Sequence, residues 1–274
     1  GLIMRILLAG STGVIGRRLA PLLTAQGHEV IGLARNGPLA VDVFDRDAVV
    51  AAVRDVRPDA VLHQLTSLST GDRAANARLR RVGTRNLVDA ALAAGVRRIV
   101  AQSITWAYEP GAEPATEETP FDLHAVEPRQ HTVAAVAALE SAVQEAPEWV
   151  VLRYGTLYGP DTWYARNGLM ARFAAAGQLP ADADVASLLH VDDAVAAAAA
   201  ALGWPNGTVN VCDDEPAAGT VWVPAFCAAA GVPAPAPTEG ERNGWARGAN
   251  NHYARKHLGW VPEHPSWRTG FSTL

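Results

Sequence analysis

Gly10, Gly13 and Gly16 recur at three-residue spacing between an apolar run, Met4–Ala9, and a helical pattern that begins at Arg17. That spacing suits a clamp for the phosphates of a dinucleotide. The first glycine permits a sharp turn, the second lets backbone N–H groups approach a pyrophosphate, and the third lets the helix pack close to the strand. Ser11, Thr12, Val14 and Ile15 complete the loop, and the helix N-terminus then faces the anion. Arg35 closes a second apolar run, Glu29–Ala34. An acidic residue there would hold the ribose 2′-hydroxyl of NAD, whereas an arginine accommodates the 2′-phosphate of NADP. The sequence therefore predicts NADP, with NAD less favoured.

A second group of residues could carry chemistry on a substrate. Ser103 ends a strand-like run, where its hydroxyl could polarise a carbonyl, and Thr105, Trp106 and Tyr108 follow it. Tyr108 or His131 could supply a proton. Trp163, Tyr164 and Arg166 suit a flat ligand with a polar handle, or else pack between lobes. His252, His257 and His264 lack the His-Glu-x-x-His spacing, so no metal is expected. No Gly-x-Ser-x-Gly nucleophile turn occurs either.

These residues need a scaffold, and the pattern supplies one. Strands are predicted at 29–34, 41–44, 60–65, 98–102 and 149–154 after the first, with helices at 46–53, 74–94 and 133–145 between them. This alternation predicts an α/β fold, a doubly wound parallel sheet of the Rossmann kind. A further strand at 185–191, followed by a helix capped by Asp192 or Asp193, is expected to return to it. The domain expectation is a nucleotide-binding domain at 4–155 rejoined by 185–211, and a small interrupted substrate lobe at 156–184 and 212–274. Val133, Val136 and Leu139 form a stripe that either pairs two chains in a homodimer or faces the sheet.

The 274 residues, 49% hydrophobic with a net charge of −5, give no electrostatic reason for nucleic acid or an anionic membrane as partner. A small-molecule substrate is expected instead. The Ala194–Trp204 run is too short to span a bilayer, and a cytoplasmic location is expected. Cys212 and Cys227 match no disulfide or metal spacing and read as small buried hydrophobes.

Taken in order, the glycine turn, Val41-Asp42-Val43, Asp59–His63, Gly83–Leu87, Arg153–Pro160, His190–Asp193 and Leu258–Pro262 resemble the extended short-chain dehydrogenase/reductases, the epimerase/dehydratase group. The resemblance implies that Asp42 and Val43 meet adenine, and that Leu65, Thr66, Ser67 and Gln102 join the cofactor contacts. It also implies a Tyr-x-x-x-Lys pair, in which lysine lowers the pKa of a proton-shuttling tyrosine. The one lysine here is Lys256, and Tyr253 stands three residues before it. Matching Glu140 to the family's later glutamate places Thr132 and Val136 at the two positions. Arg80 stands where an asparagine is usual. The implied activity is an atypical NADP-dependent reductase or epimerase of a small carbonyl or alcohol, with Ser103 and Tyr108 catalytic. The alternatives are an NADP-binding sensor and a lyase or cyclase with a structural nucleotide.

Overall fold

The computed structural model describes residues 2–37, 39–66 and 72–274. They form two compact units. The first comprises Gly1–Ser103, Leu123–Leu152 and Val195–Thr208, and the second Ile104–Asp122, Arg153–Ala194 and Val209–Leu274.

The first unit is built from β1 (Arg5–Ala9), α1 (Gly16–Ala25), β2 (Glu29–Ala34), β3 (Leu39–Ala40), α2 (Arg46–Val56), β4 (Ala60–His63), α3 (Arg73–Arg78), α4 (Thr84–Ala93), β5 (Arg98–Ile104), α5 (Arg129–Val143) and β6 (Glu148–Tyr154). With β10 (Gly207–Val211) at its edge, the seven-stranded sheet runs β10-β6-β5-β4-β1-β2-β3. Pairings of β1 with β2 and β4, of β4 with β5 and of β2 with β3 are parallel. From β3 to β6 this is the doubly wound Rossmann order, in which ligands bind beyond the carboxyl ends of the strands. Leu7, Val61, Ile99 and Val151 on one sheet face meet Leu87, Val88, Leu139 and Val143 of the helices. Ala60–Leu62 of β4 and Ile99–Ala101 of β5 are apolar and buried on both faces, as strands covered by helices must be.

Several expected boundaries move, for local reasons. No strand forms at 41–44; the two-residue β3 lies just before it, and at 42–44 the Asp42 carboxylate accepts from Phe44 N at 3.0 Å and turns the chain. The helix expected at 74–94 is broken by a π-helical turn, Leu79–Gly83. Gly83 lets that turn sit tight, since a Cβ there would lie 2.8 Å from Leu79 Cδ1. Val133, Val136 and Leu139 are buried within the chain, so the stripe that suggested a homodimer faces the core instead.

The second unit contains β7 (Thr156–Tyr158), α6 (Leu169–Ala175), β8 (Val185–Ala186), β9 (Leu188–His190), β11 (Ala217–Ala218), α8 (Gly219–Ala230), α9 (His252–His257) and α10 (Trp267–Gly270). The strand expected at 185–191 is thus two short pieces; β8 pairs with β11 and β9 with β7. α7 (Val191–Ala200) starts one residue before the expected caps, and it is His190 Nδ1 that accepts from Asp192 N, at 3.0 Å. Tyr158, Trp222, Phe226, Trp267 and Phe271 form the aromatic core of this unit. Cys212 and Cys227 are free and buried. Among the described residues no helix is long and apolar enough to cross a membrane.

Gly16→Ala tests the strand–helix approach. Its Cβ would stand 2.0 Å from Gly10 O. Thermal unfolding should show a loss of about 1–3 kcal/mol, the range for overpacking. Gly203→Ala, with nothing within 4 Å of the added carbon, should leave the melting temperature unchanged.

Candidate functional site

The glycine loop has the shape that its sequence predicts. Gly10 has φ +90°, and a Cβ on it would lie 2.6 Å from Gln64 O. Gly13 is less crowded, at 3.3 Å from Gly10 O. The backbone bonds leading into α1 begin at Arg17, whose N–H donates to Gly13 O at 3.0 Å. Ile15 is buried, Val14 is half-buried, and Thr12 is exposed at the lip of the loop. Ser11 presses on the neighbouring strand, where a Cβ at Gly32 would be 2.6 Å from its side chain. Gly32 is a fourth glycine of the cradle that the three-residue spacing does not reveal. Such a bare, concave backbone at a helix start fits the phosphates of a dinucleotide.

Around the loop, Arg35 is exposed just beyond β2. Asp42 is exposed and Val43 buried, with Val43 O accepting from Asn86 Nδ2 at 2.9 Å. Leu65 is half-buried and Thr66 exposed, while Ser67 lies outside the described residues. Gln102 is half-buried on β5, and among the described residues its shut-away Oε1 has no hydrogen-bond partner. A buried acceptor without a donor costs free energy until something donates to it.

Ser103 is 2% exposed and Glu140 1%, and the Ser103 hydroxyl donates to Glu140 Oε2 at 2.7 Å. Its proton is therefore committed inside the first unit. Thr132 is half-buried on α5, Val136 is fully buried, and His131 is exposed beside Glu127 at 3.3 Å.

In the second unit, Tyr108 is 2% exposed; its hydroxyl donates to Asn210 Oδ1 and accepts from Arg153 at 3.0 Å. The Arg153 guanidinium also lies over the Tyr108 and Phe121 rings, 5.1 and 4.8 Å from their centroids. Thr105 is half-buried, its amide donating to Tyr154 O at 3.1 Å. Beside it Trp106 meets Trp245 edge to face, with ring centroids 4.9 Å apart. Arg247 holds the Trp245 loop by donating to Glu113 O at 2.6 Å and Glu109 O at 3.0 Å, and Arg242 donates to Gly111 O at 2.9 Å. Trp245 went unseen in the sequence because it is remote from Trp106 and sits in no motif. Tyr164 packs edge-on against Trp222 and Phe226, and burial pushes its phenol up to about 12. Trp163 is half-buried and Arg166 exposed.

A cavity of about 300 Å³ in this unit is lined by Glu113, Asp213, Asp214, Asn250, Asn251 and His252. Burial pushes the Asp213 carboxyl up to about 7 against the two amides that donate to it, Glu215 N and Trp267 N. His190, Asp192 and His264 bring possible ligand atoms within 4.8 Å of one another. His190 already uses both nitrogens, on Asp192 N and the Thr273 hydroxyl.

Sheet order and glycine cradle together define a doubly wound protein with a dinucleotide cleft. The chain belongs to the NAD dependent epimerase/dehydratase family, whose profile matches residues 6–212. A Streptomyces sp protein named 3-diazoavenalumate denitrifying reductase is 45% identical over 300 residues, covering 97% of this chain and 99% of that one. The structure of the UDP-glucose 4-epimerase of Thermus thermophilus in complex with NAD is similar, at TM-score 0.78 and 26% identity over 98% of this chain and 97% of that one. Bordetella bronchiseptica WbmG, in complex with NAD and UDP, shares the fold at TM-score 0.79 and 22% identity, covering 99% of this chain and 94% of that one.

Ser103→Ala should leave the buried Glu140 carboxyl short of one donor and cost about 1–3 kcal/mol, measurable by urea unfolding. Ser103→Thr, which keeps the hydroxyl, should recover most of that loss.

Proposed function

We propose that this protein is an NADPH-dependent reductase that replaces the diazonium group of an aromatic diazo acid by hydrogen and releases N₂. The observation that carries this reading is the absence of a proton-transfer pair where the family resemblance calls for one. Thr132 and Val136 occupy those positions, and the chain's one lysine is in its tail. A threonine hydroxyl is too weak an acid to serve near neutrality without a base beside it. Reduction of a carbonyl needs both hydride and a proton. Reduction of a diazonium ion needs only hydride: R–N₂⁺ and NADPH give R–H, N₂ and NADP⁺, with the C–N bond breaking as the C–H bond forms. The similarity to the Streptomyces reductase, which extends over nearly the whole of both chains, supports the same chemistry.

When bound, NADPH supplies the hydride. The chain's own residues do the rest. Gly10, Gly13 and Gly16 admit the phosphates, Gln102 Oε1 offers an acceptor to the ligand, and exposed Arg35 meets the 2′-phosphate. Within the second unit, the Trp106–Trp245 pair is an aromatic surface that suits a planar cation, since a ring face attracts positive charge.

Two measurements test this. With an aryl diazonium acid as substrate, deuterium from the C4 position of labelled NADPH should appear in the new C–H bond, one N₂ should form per NADPH consumed, and D₂O should leave no label there. Turnover of UDP-sugars with no reaction of the diazo acid would overturn the reading. For the cofactor, NADPH should bind roughly tenfold more tightly than NADH, as one charge-assisted contact allows. Arg35→Asp should erase that difference in fluorescence quenching.

A further inference from the structure

The first unit holds a cation that the proposed function does not use. Three arginines lie close together around the π-helical turn. Arg78 covers the Phe44 ring at 3.9 Å and Arg81 is exposed, but Arg80 is half-buried. A π-turn adds one residue to the helix and so shifts the phase of the side chains around it, which is why such turns mark functional sites. Neighbouring arginines of this helical layer are paired: Arg46 with Asp89 at 2.7 Å, and Arg85 with Asp89 at 2.5 Å and Glu145 at 2.8 Å. Among the described residues, Arg80 has no hydrogen-bond or ion-pair partner. Glu140, on the α5 helix that packs against the turn, accepts from Ser103.

Its surroundings point to a ligand. Burial lowers the Arg80 pKa to about 10, and burial together with the Arg80 charge brings His63 down to about 4. His63 is neutral and fully used: Nδ1 accepts from Leu65 N at 3.3 Å, and Nε2 donates to the Thr84 hydroxyl at 2.8 Å. The imidazole can therefore neither neutralise the guanidinium nor accept from it. His63 is the last residue of β4, in register with Ala9 of β1 and Ala101 of β5. His63 bonds Thr84, one helical turn after Arg80, so Arg80 lies on the helix beside the carboxyl ends of the three central strands, where this fold binds ligands. Half-buried and unpaired among the described residues, the guanidinium presents five donors and no acceptor, a set that an anion completes.

We propose that Arg80 is an oxyanion-binding residue, gripping either a phosphate of the nucleotide or the carboxylate of the substrate. The second source rests on the diazo-acid reading, and the first does not. The planar fork matches either group through two parallel hydrogen bonds.

The test uses the full chain with Arg80→Gln and Arg80→Lys. NADPH affinity is read by tryptophan quenching, and 4-hydroxycinnamate serves as the carboxylate probe, titrated calorimetrically against the NADPH complex. For Arg80→Gln, a loss of roughly tenfold or more in NADPH affinity identifies a phosphate partner. Unchanged NADPH affinity with the same loss for 4-hydroxycinnamate identifies the carboxylate. Arg80→Lys should recover part of either loss, because it restores the charge without the fork. The melting temperature of the nucleotide-free Arg80→Gln protein should stay level or rise, since no internal partner is lost. Both affinities within twofold of wild type, or a lower melting temperature for the nucleotide-free variant, would overturn the proposal. If wild type fails to reduce a diazo acid, the reading of function falls, while the NADPH titration still decides whether Arg80 holds phosphate.

Discussion

Gly16 has no room for a side chain, because the space of its Cβ is taken by Gly10 O at 2.0 Å. That contact brings α1 against the end of β1 and leaves a bare backbone arch at the helix start. Gly10, bent to φ +90° against Gln64, carries the arch to β4, and Gly32 gives Ser11 space over β2. Three neighbouring strands thus set the width of one phosphate cradle. The cleft exists because backbone meets backbone there, and any β-carbon would push the strands and helix apart.

Away from the cradle, several buried polar groups are satisfied inside their own unit. The Ser103 proton goes to Glu140 and the Tyr108 proton to Asn210. Groups fixed in this way are poor proton donors to a substrate, since transfer would first break an internal bond. The buried Tyr158 hydroxyl has no partner among the described residues, but burial raises its pKa and makes it a poor acid. Among the described residues, Gln102 Oε1 lacks a donor and the Arg80 guanidinium lacks an acceptor. An amide and a fixed cation can hold a ligand but not protonate it near neutrality.

Much of the first unit was legible in the sequence because its cues are local. A glycine spacing, alternating apolar runs and helix-ending glycines or prolines act over a few residues, and the sheet order follows from the handedness of βαβ crossovers. What failed locally did so for identifiable reasons. An aspartate side chain turned the chain at 42–44, and one inserted residue broke the helix at 79–83. In the second unit the strands are two or three residues long and hold together through aromatic packing, so no periodicity announces them.

The sequence by itself determined the doubly wound sheet, the glycine cradle and the placing of the single lysine in the tail, because each depends on residue type and position along the chain. Only the tertiary structure decided which polar groups are spent and which are open. Ser103 and Glu140 are 37 residues apart, Tyr108 and Asn210 are 102 apart, and Trp106 finds Trp245 from the far end of the chain. Hydrogen-bond capacity is settled by whichever partner folding brings within about 3 Å, and that distance is not encoded in spacing along the chain.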